Sequence, residues 1–174
     1  MRKGIRLCER GGEAGSVEAQ LYLATNFERG DGYIPGDVNR ALYWYSMAAG
    51  NNVTEAQYHV ARLLRSQSTN DEGYQVALDN AETAAASGYQ PAYLLTAQLY
   101  MQAPLDHHTN MPTPTNLAKA YMWSQATIRG ADDEQDKRDA QALLKRIRTV
   151  MPSEWEKDLD GEVDDHFERL AAQS

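Results

Sequence analysis

Residues 14–50 read AGSVEAQLYLATNFERGDGYIPGDVNRALYWYSMAAG, and this stretch decides the fold. Gly15-Ser16 opens a helix whose apolar residues Ala19, Leu23, Ala24 and Phe27 follow an i, i+4, i+5, i+8 pattern and so share one face. Arg29-Gly30-Asp31-Gly32 stops that helix. Pro35-Gly36-Asp37 turns the chain, with Asp37 as the N-cap of a second helix. The second helix carries Ala41, Leu42, Trp44, Tyr45, Ala48 and Ala49 and ends at Gly50-Asn51-Asn52. The same unit recurs. Ala19 has counterparts at Ala56 and Ala92, at intervals of 37 and 36 residues, and Ala41 has counterparts at Ala77 and, after a longer gap, Ala120. A period of this length means stacked supersecondary units rather than one globular core.

The second unit places Ala56, Val60, Ala61 and Leu64 on its first helix, a turn at 66–70 and a second helix over 74–86 closed by Gly88. Asn52 with Glu55 three residues later has the spacing of a capping box. The third unit starts at Gly88, tolerates Pro91 in the first helical turn and continues through Ala92, Leu95, Thr96, Ala97 and Tyr100. Its connection over 102–115 holds Pro104, Pro112 and Pro114, and Thr115 or Asn116 is expected to cap the helix of Ala120, Tyr121 and Trp123. The tail departs from the repeat. Residues 132–150 place Ala140, Leu143, Leu144 and Ile147 on one face, and Pro152-Ser153 starts a last helix with Trp155, Leu159, Val163, Phe167 and Leu170. A terminal unit has no neighbour over its outer side, so these two charged helices are expected to cap the stack. The organisation expected is a helix end at 1–13, about three repeats at 14–131 and capping helices at 132–174.

Composition narrows the function. The 174 residues carry a net charge of −8, which disfavours nucleic-acid partners, because phosphate binding needs clustered Lys and Arg. Most of the excess acid sits in 132–174. Cys8 is the single cysteine and reads as a small buried hydrophobe, so neither an internal disulfide nor a thiolate metal cluster can form within the chain. No run approaches the length of a membrane span. The N-terminus has basic residues but no apolar stretch of signal-peptide length. The expected compartment is cytoplasmic for a complete chain, and periplasmic or secreted for a fragment of an exported protein. Residues 3–10 read as the end of a helix from a preceding unit.

The motif Ala14-Gly15-x-x-x-Ala19, Leu23-Ala24-x-x-Phe27, Gly30-x-Gly32-Tyr33-Ile34-x-x-Asp37, then Arg40-Ala41-Leu42-Tyr43-Trp44-Tyr45-Ser46-Met47-Ala48-Ala49 resembles a Sel1-like repeat, a relative of the tetratricopeptide repeat. The second unit keeps Ala56, Ala61, Ala77, Ala84, Ala85 and Gly88 but loses the glycine turn and the Trp-Tyr pair. The third keeps Lys119-Ala120-Tyr121-Met122-Trp123. The resemblance covers about residues 3 to 131. It implies an all-α, right-handed α-solenoid of helix-turn-helix repeats with C-terminal capping helices. It also implies a protein-binding adaptor rather than an enzyme, with no cofactor. In that family the first helix of each unit lines the concave face. On this sequence those positions are Glu18, Leu21, Thr25 and Glu28, then Glu55, Tyr58, Arg62 and Arg65, then Pro91, Leu94, Gln98 and Met101. The partner is another protein or peptide. Arg and Tyr are favoured at binding hot spots, although Arg62 and Arg65 can equally pair with Glu55 or Glu28 on the surface.

Asp106-His107-His108 has ligand-type side chains, but two adjacent His on a loop do not converge on one ion without further ligands, so no metal is expected. The triplet Asn52-Val53-Thr54 is a glycosylation acceptor only in a secreted eukaryotic chain. There is no P-loop, no Gly-x-Ser-x-Gly, no His-Glu-x-x-His and no Gly-x-Gly-x-x-Gly. Two functional alternatives remain: an inhibitor or immunity-type protein that uses its acidic tail, and a non-catalytic subunit of a cell-envelope or wall-associated enzyme system.

Overall fold

The computed structural model describes residues 2–30, 35–67 and 70–173, which are helical with short connections and contain no strand. The helices are α1 (Arg2–Glu13), α2 (Val17–Arg29), α3 (Val38–Gly50), α4 (Thr54–Gln67), α5 (Asp71–Ala86), α6 (Gln90–Gln102), α7 (Pro114–Gly130), α8 (Glu134–Ile147) and α9 (Glu156–Ala172), the last preceded by a 3-10 turn at Ser153–Trp155. The glycine turn expected at 30–34 and the turn at 66–70 fall partly outside the described residues.

Local chemistry sets the helix ends. Ser16 accepts the Ala19 N–H, Asp37 accepts the Arg40 N–H and Asp133 accepts those of Gln135 and Asp136, each relieving an orphan donor at a helix N-terminus. Pro91 lies in the first turn of α6, as expected. Two expected caps are corrected. The cap of α7 is Thr113, which accepts the Asn116 N–H, and Pro114 is the first helical residue, where its missing N–H costs nothing. The Asn52–Glu55 capping box does not form. Asn52 adopts φ 60° and closes α3 by donating to Ala49 O, while Val53 donates to Ala48 O and accepts the first bond of α4 from Gln57. The left-handed turn that ends one helix therefore excludes Asn52 from capping the next.

The chain divides into two compact units, Met1–Asn80 and Ala81–Ser174. In the first, α1 packs on α2, α2 on α3 and α3 on α4. The core holds Leu23, Ala24, Phe27, Ala41, Trp44, Tyr45, Ala48, Ala56, Val60 and Leu63. Ala41, Ala48, Ala56 and Ala61 are fully buried, so the recurring alanines let the helices approach closely. Gly12 serves the same end. A Cβ there would lie 2.7 Å from the Trp44 ring, so only glycine lets α1 seat against that indole. Gln20, fully buried, donates to the Gly12 carbonyl at 2.9 Å and ties α2 to α1. The helix end expected at 1–13 is thus a 12-residue helix packed on its neighbour.

In the second unit α6 packs on α7, and α8 and α9 pack on α7. The core here is aromatic. Tyr93 stacks on Trp123 at 5.6 Å, and His166 and Phe167 of α9 meet that pair edge-on. Ion pairs flank this contact: Arg129 with Asp164, and Arg148 with Glu156 at 2.9 Å. Gly88 (φ +84°) ends α5, and a Cβ on it would meet Leu170 of α9 at 2.9 Å. The apolar stripe Leu159, Val163 and His166 is buried, so α9 covers the faces of α6 and α7 as a cap does.

Candidate partner-binding surface

A single carboxylate joins α2 and α4, the helices that open the first two repeats. Glu28 on α2 forms an ion pair with Arg62 on α4, lies 3.5 Å from His59 Nδ1 and accepts a hydrogen bond from the Tyr45 hydroxyl at 3.0 Å. Thr25 shares the Tyr45 hydroxyl at 3.4 Å. The His59 ring stacks on Tyr45, with centroids 4.5 Å apart and planes within 6° of parallel, and Tyr58 meets it edge-on. Arg62 reaches His59 Nδ1 at 3.1 Å, and Glu55 lies 3.9 Å from His59 Nε2.

Five of the positions expected to face a partner, Thr25, Glu28, Glu55, Tyr58 and Arg62, therefore belong to one connected network in the first unit. The sequence reading missed its two middle members, Tyr45 and His59. Only the long-range contact with α2 makes His59 a hinge of the network. Of the remaining positions in this unit, Glu18 and Arg65 are exposed, and Leu21 packs against the core while half-buried. Tyr22, on the same outward side of α2, is 52% exposed.

In the second unit α6 carries the corresponding positions. Pro91 is exposed, and Gln98 and Met101 are half-buried. Leu94 is only 7% exposed and belongs to the core, which corrects its assignment as a contact residue. Helix α6 is buried along nearly all its length, from Ala92 to Tyr100, so helical periodicity alone did not show which of its apolar residues faced outward.

Electrostatics follow the geometry. Burial would raise the Glu28 carboxyl, but hydrogen bonds from Arg62 and Tyr45 and the charges of Arg62 and His59 outweigh it and hold its pKa below the usual value. Burial pushes the Tyr45 hydroxyl up to about 12 and pushes His59 down. Glu28 and Glu55 oppose the His59 shift and Arg62 reinforces it. His166 is depressed as well, by burial first and then by Arg169.

The signs combine into one prediction. A histidine with a lowered folded pKa is protonated more readily in the unfolded chain, so stability is retained above the unfolded value of 6.5 and is lost as pH falls from there towards the folded value. Glu28 acts in the same direction below 4.5. Urea-unfolding midpoints should therefore drop between pH 7 and pH 5, before the carboxylates titrate. A His59→Gln, His166→Gln chain should be flatter in that window. A wild-type midpoint that rose on acidification would contradict these environments.

The Asp106-His107-His108 loop is a self-contained turn. Asp106 accepts from the His108 and Thr109 N–H groups and from the Thr109 hydroxyl, while both His are exposed. Among the described residues no group of three or more His, Cys, Asp or Glu could hold a metal ion. Cys8 is half-buried and free. No described helix is long and apolar enough to cross a membrane.

No protein-family model and no curated protein sequence matches the chain. Among solved structures it is similar to a Sel1 repeat protein from Oxalobacter formigenes, at 19% identity and TM-score 0.56, over 80% of this chain and 98% of that one. It is also similar to a protective antigen of uropathogenic Escherichia coli displaying an SLR fold, at 13% identity and TM-score 0.53, over 98% of this chain and 42% of that one. The fold is therefore that of the Sel1-like repeats, an α-solenoid built of helix-turn-helix units.

Proposed function

We propose that the chain is a non-enzymatic adaptor that binds another polypeptide along the outward side of its first helices, with residues 14–131 as about three repeats and 132–174 as the cap. The observation that carries this reading is the Glu28 junction. It ties α2 to α4, the two helices that carry the proposed contact residues Tyr22, Tyr58 and Arg65. Tyr side chains offer contact area at low conformational-entropy cost, and Tyr and Arg are favoured at binding hot spots. Arg62 is engaged with Glu28, and Arg65 is the exposed cation further along α4.

The test is affinity capture from the native cells by the wild-type chain and by a Tyr22→Ala, Arg65→Glu chain, with thermal unfolding compared in parallel. The adaptor reading expects a protein retained by the wild type and lost by the variant while the unfolding midpoint is unchanged. Equal retention by both would remove this surface. The acidic-tail inhibitor is less favoured, because Glu156 and Asp164 of the tail are engaged in ion pairs and Asp160 accepts hydrogen bonds from Tyr121 and Gln125.

A further inference from the structure

The second unit holds a semi-enclosed pocket of about 440 Å³ between α5, α7 and α9. Its wall is apolar where Ala86, Met122 and Trp123 contribute, and α9 supplies Glu162 and Asp165. Helix α9 has three faces. Leu159, Val163 and His166 are buried, and Glu156, Asp160 and Asp164 bond to Arg148, to Tyr121 and Gln125, and to Arg129. The third face turns Glu162 and Asp165 towards the pocket, and both are exposed without an ion pair among the described residues. Two cations also line the pocket. Lys119 is neutralised by Glu82 at 3.0 Å, whose other oxygen accepts from Tyr100 at 2.7 Å, while Arg169 is exposed. The uncommitted charge is therefore two carboxylates against one guanidinium. Trp123 is 2% exposed, yet its indole N–H has no hydrogen-bond partner among the described residues, a cost a folded chain does not usually leave unmet.

We propose that this pocket receives a basic side chain, Lys or Arg, from a partner polypeptide. The aliphatic stem lies along Met122, Ala86 and Trp123, and the cationic head sits between Glu162 and Asp165. A pocket of this volume has room for the side chain with its flanking main chain. An Arg or Lys stem covering apolar wall while its head meets carboxylates is the ordinary way such side chains are half-buried. The proposal stands apart from the α2–α4 surface of the first unit, so either can fail without the other.

The experiment is a titration of the full chain with Nα-acetyl-arginine amide and, in parallel, with Nα-acetyl-citrulline amide, which is nearly isosteric but neutral. Binding is read from the indole N–H resonance of Trp123, assigned by its disappearance in Trp123→Phe. The expected result is a saturating shift with the arginine probe, little shift with citrulline, and at least a tenfold weaker fit for Glu162→Gln, Asp165→Asn. Nα-acetyl-glutamate amide serves as the opposite probe. No shift, equal shifts for arginine and citrulline, or a preference for the glutamate probe would each overturn the proposal. Because the wild-type comparison of the two probes decides by itself, the outcome does not depend on how the variant folds.

Discussion

Replacing Trp44 by alanine should cost about 3–5 kcal/mol, the usual toll for removing a buried aromatic side chain. The residue is 3% exposed, packs in the α2–α4 core and occupies the space that Gly12 leaves open on α1. The cavity cannot collapse easily, because the alanines of the surrounding helices have no side chain long enough to extend into the gap. Against a total stability of roughly 5–15 kcal/mol, such a loss is large enough to leave the first unit partly unfolded at room temperature. Urea unfolding followed by far-ultraviolet circular dichroism checks it. A loss below about 1 kcal/mol would mean that the indole is not wedged as described.

The second large effect concerns the cap. Truncation after Pro152 removes Leu159, Val163, His166 and Phe167 and uncovers the Tyr93–Trp123 stack, now 1% and 2% exposed. Burying each aliphatic or aromatic side chain contributes about 1.5–3 kcal/mol before the entropy of ordering α9 is subtracted. The net loss is several kcal/mol, and at roughly 2–4 °C per kcal/mol for a chain of this size the melting midpoint should fall by about 10 °C or more. The truncated chain should also bind a hydrophobic dye, since an apolar face is opened to water. An unchanged midpoint would mean that α9 is an appendage and not a cap.

Much of the scaffold was legible because small residues at fixed intervals have one dominant use. Ala41, Ala56, Ala77, Ala92 and Ala120 are all fully buried, and the periodicity that singled them out reflects the seam they form. Caps with a local mechanism, such as Ser16 and Asp37, were legible for the same reason. Errors arose where two local rules competed. Asn52 fits both a helix cap and a left-handed helix end, and the chain uses the second. Thr113, Thr115 and Asn116 are all capping residues, and Pro114 decides among them because it can only stand in the first turn. The binding surface was half legible. The resemblance to Sel1-like repeats put Thr25, Glu28, Glu55, Tyr58 and Arg62 on the concave face, but the Glu28–Arg62 and Tyr45–His59 contacts join residues 34 and 14 positions apart, and no local pattern encodes them. Leu94 was misplaced because α6 is apolar all round. The pocket beside α9 was invisible, since it needs three helices that are far apart in the chain.

The central claim, that the outward side of the first helices holds a polypeptide, is tested most directly by photo-crosslinking. Tyr22 on α2 and Tyr43 on α3 are matched controls, at 52% and 53% exposed. A benzophenone amino acid placed at Tyr22 should yield a covalent adduct with another polypeptide in the native cells, and the same group at Tyr43 should not. Adducts from Tyr43 with none from Tyr22 would contradict the account.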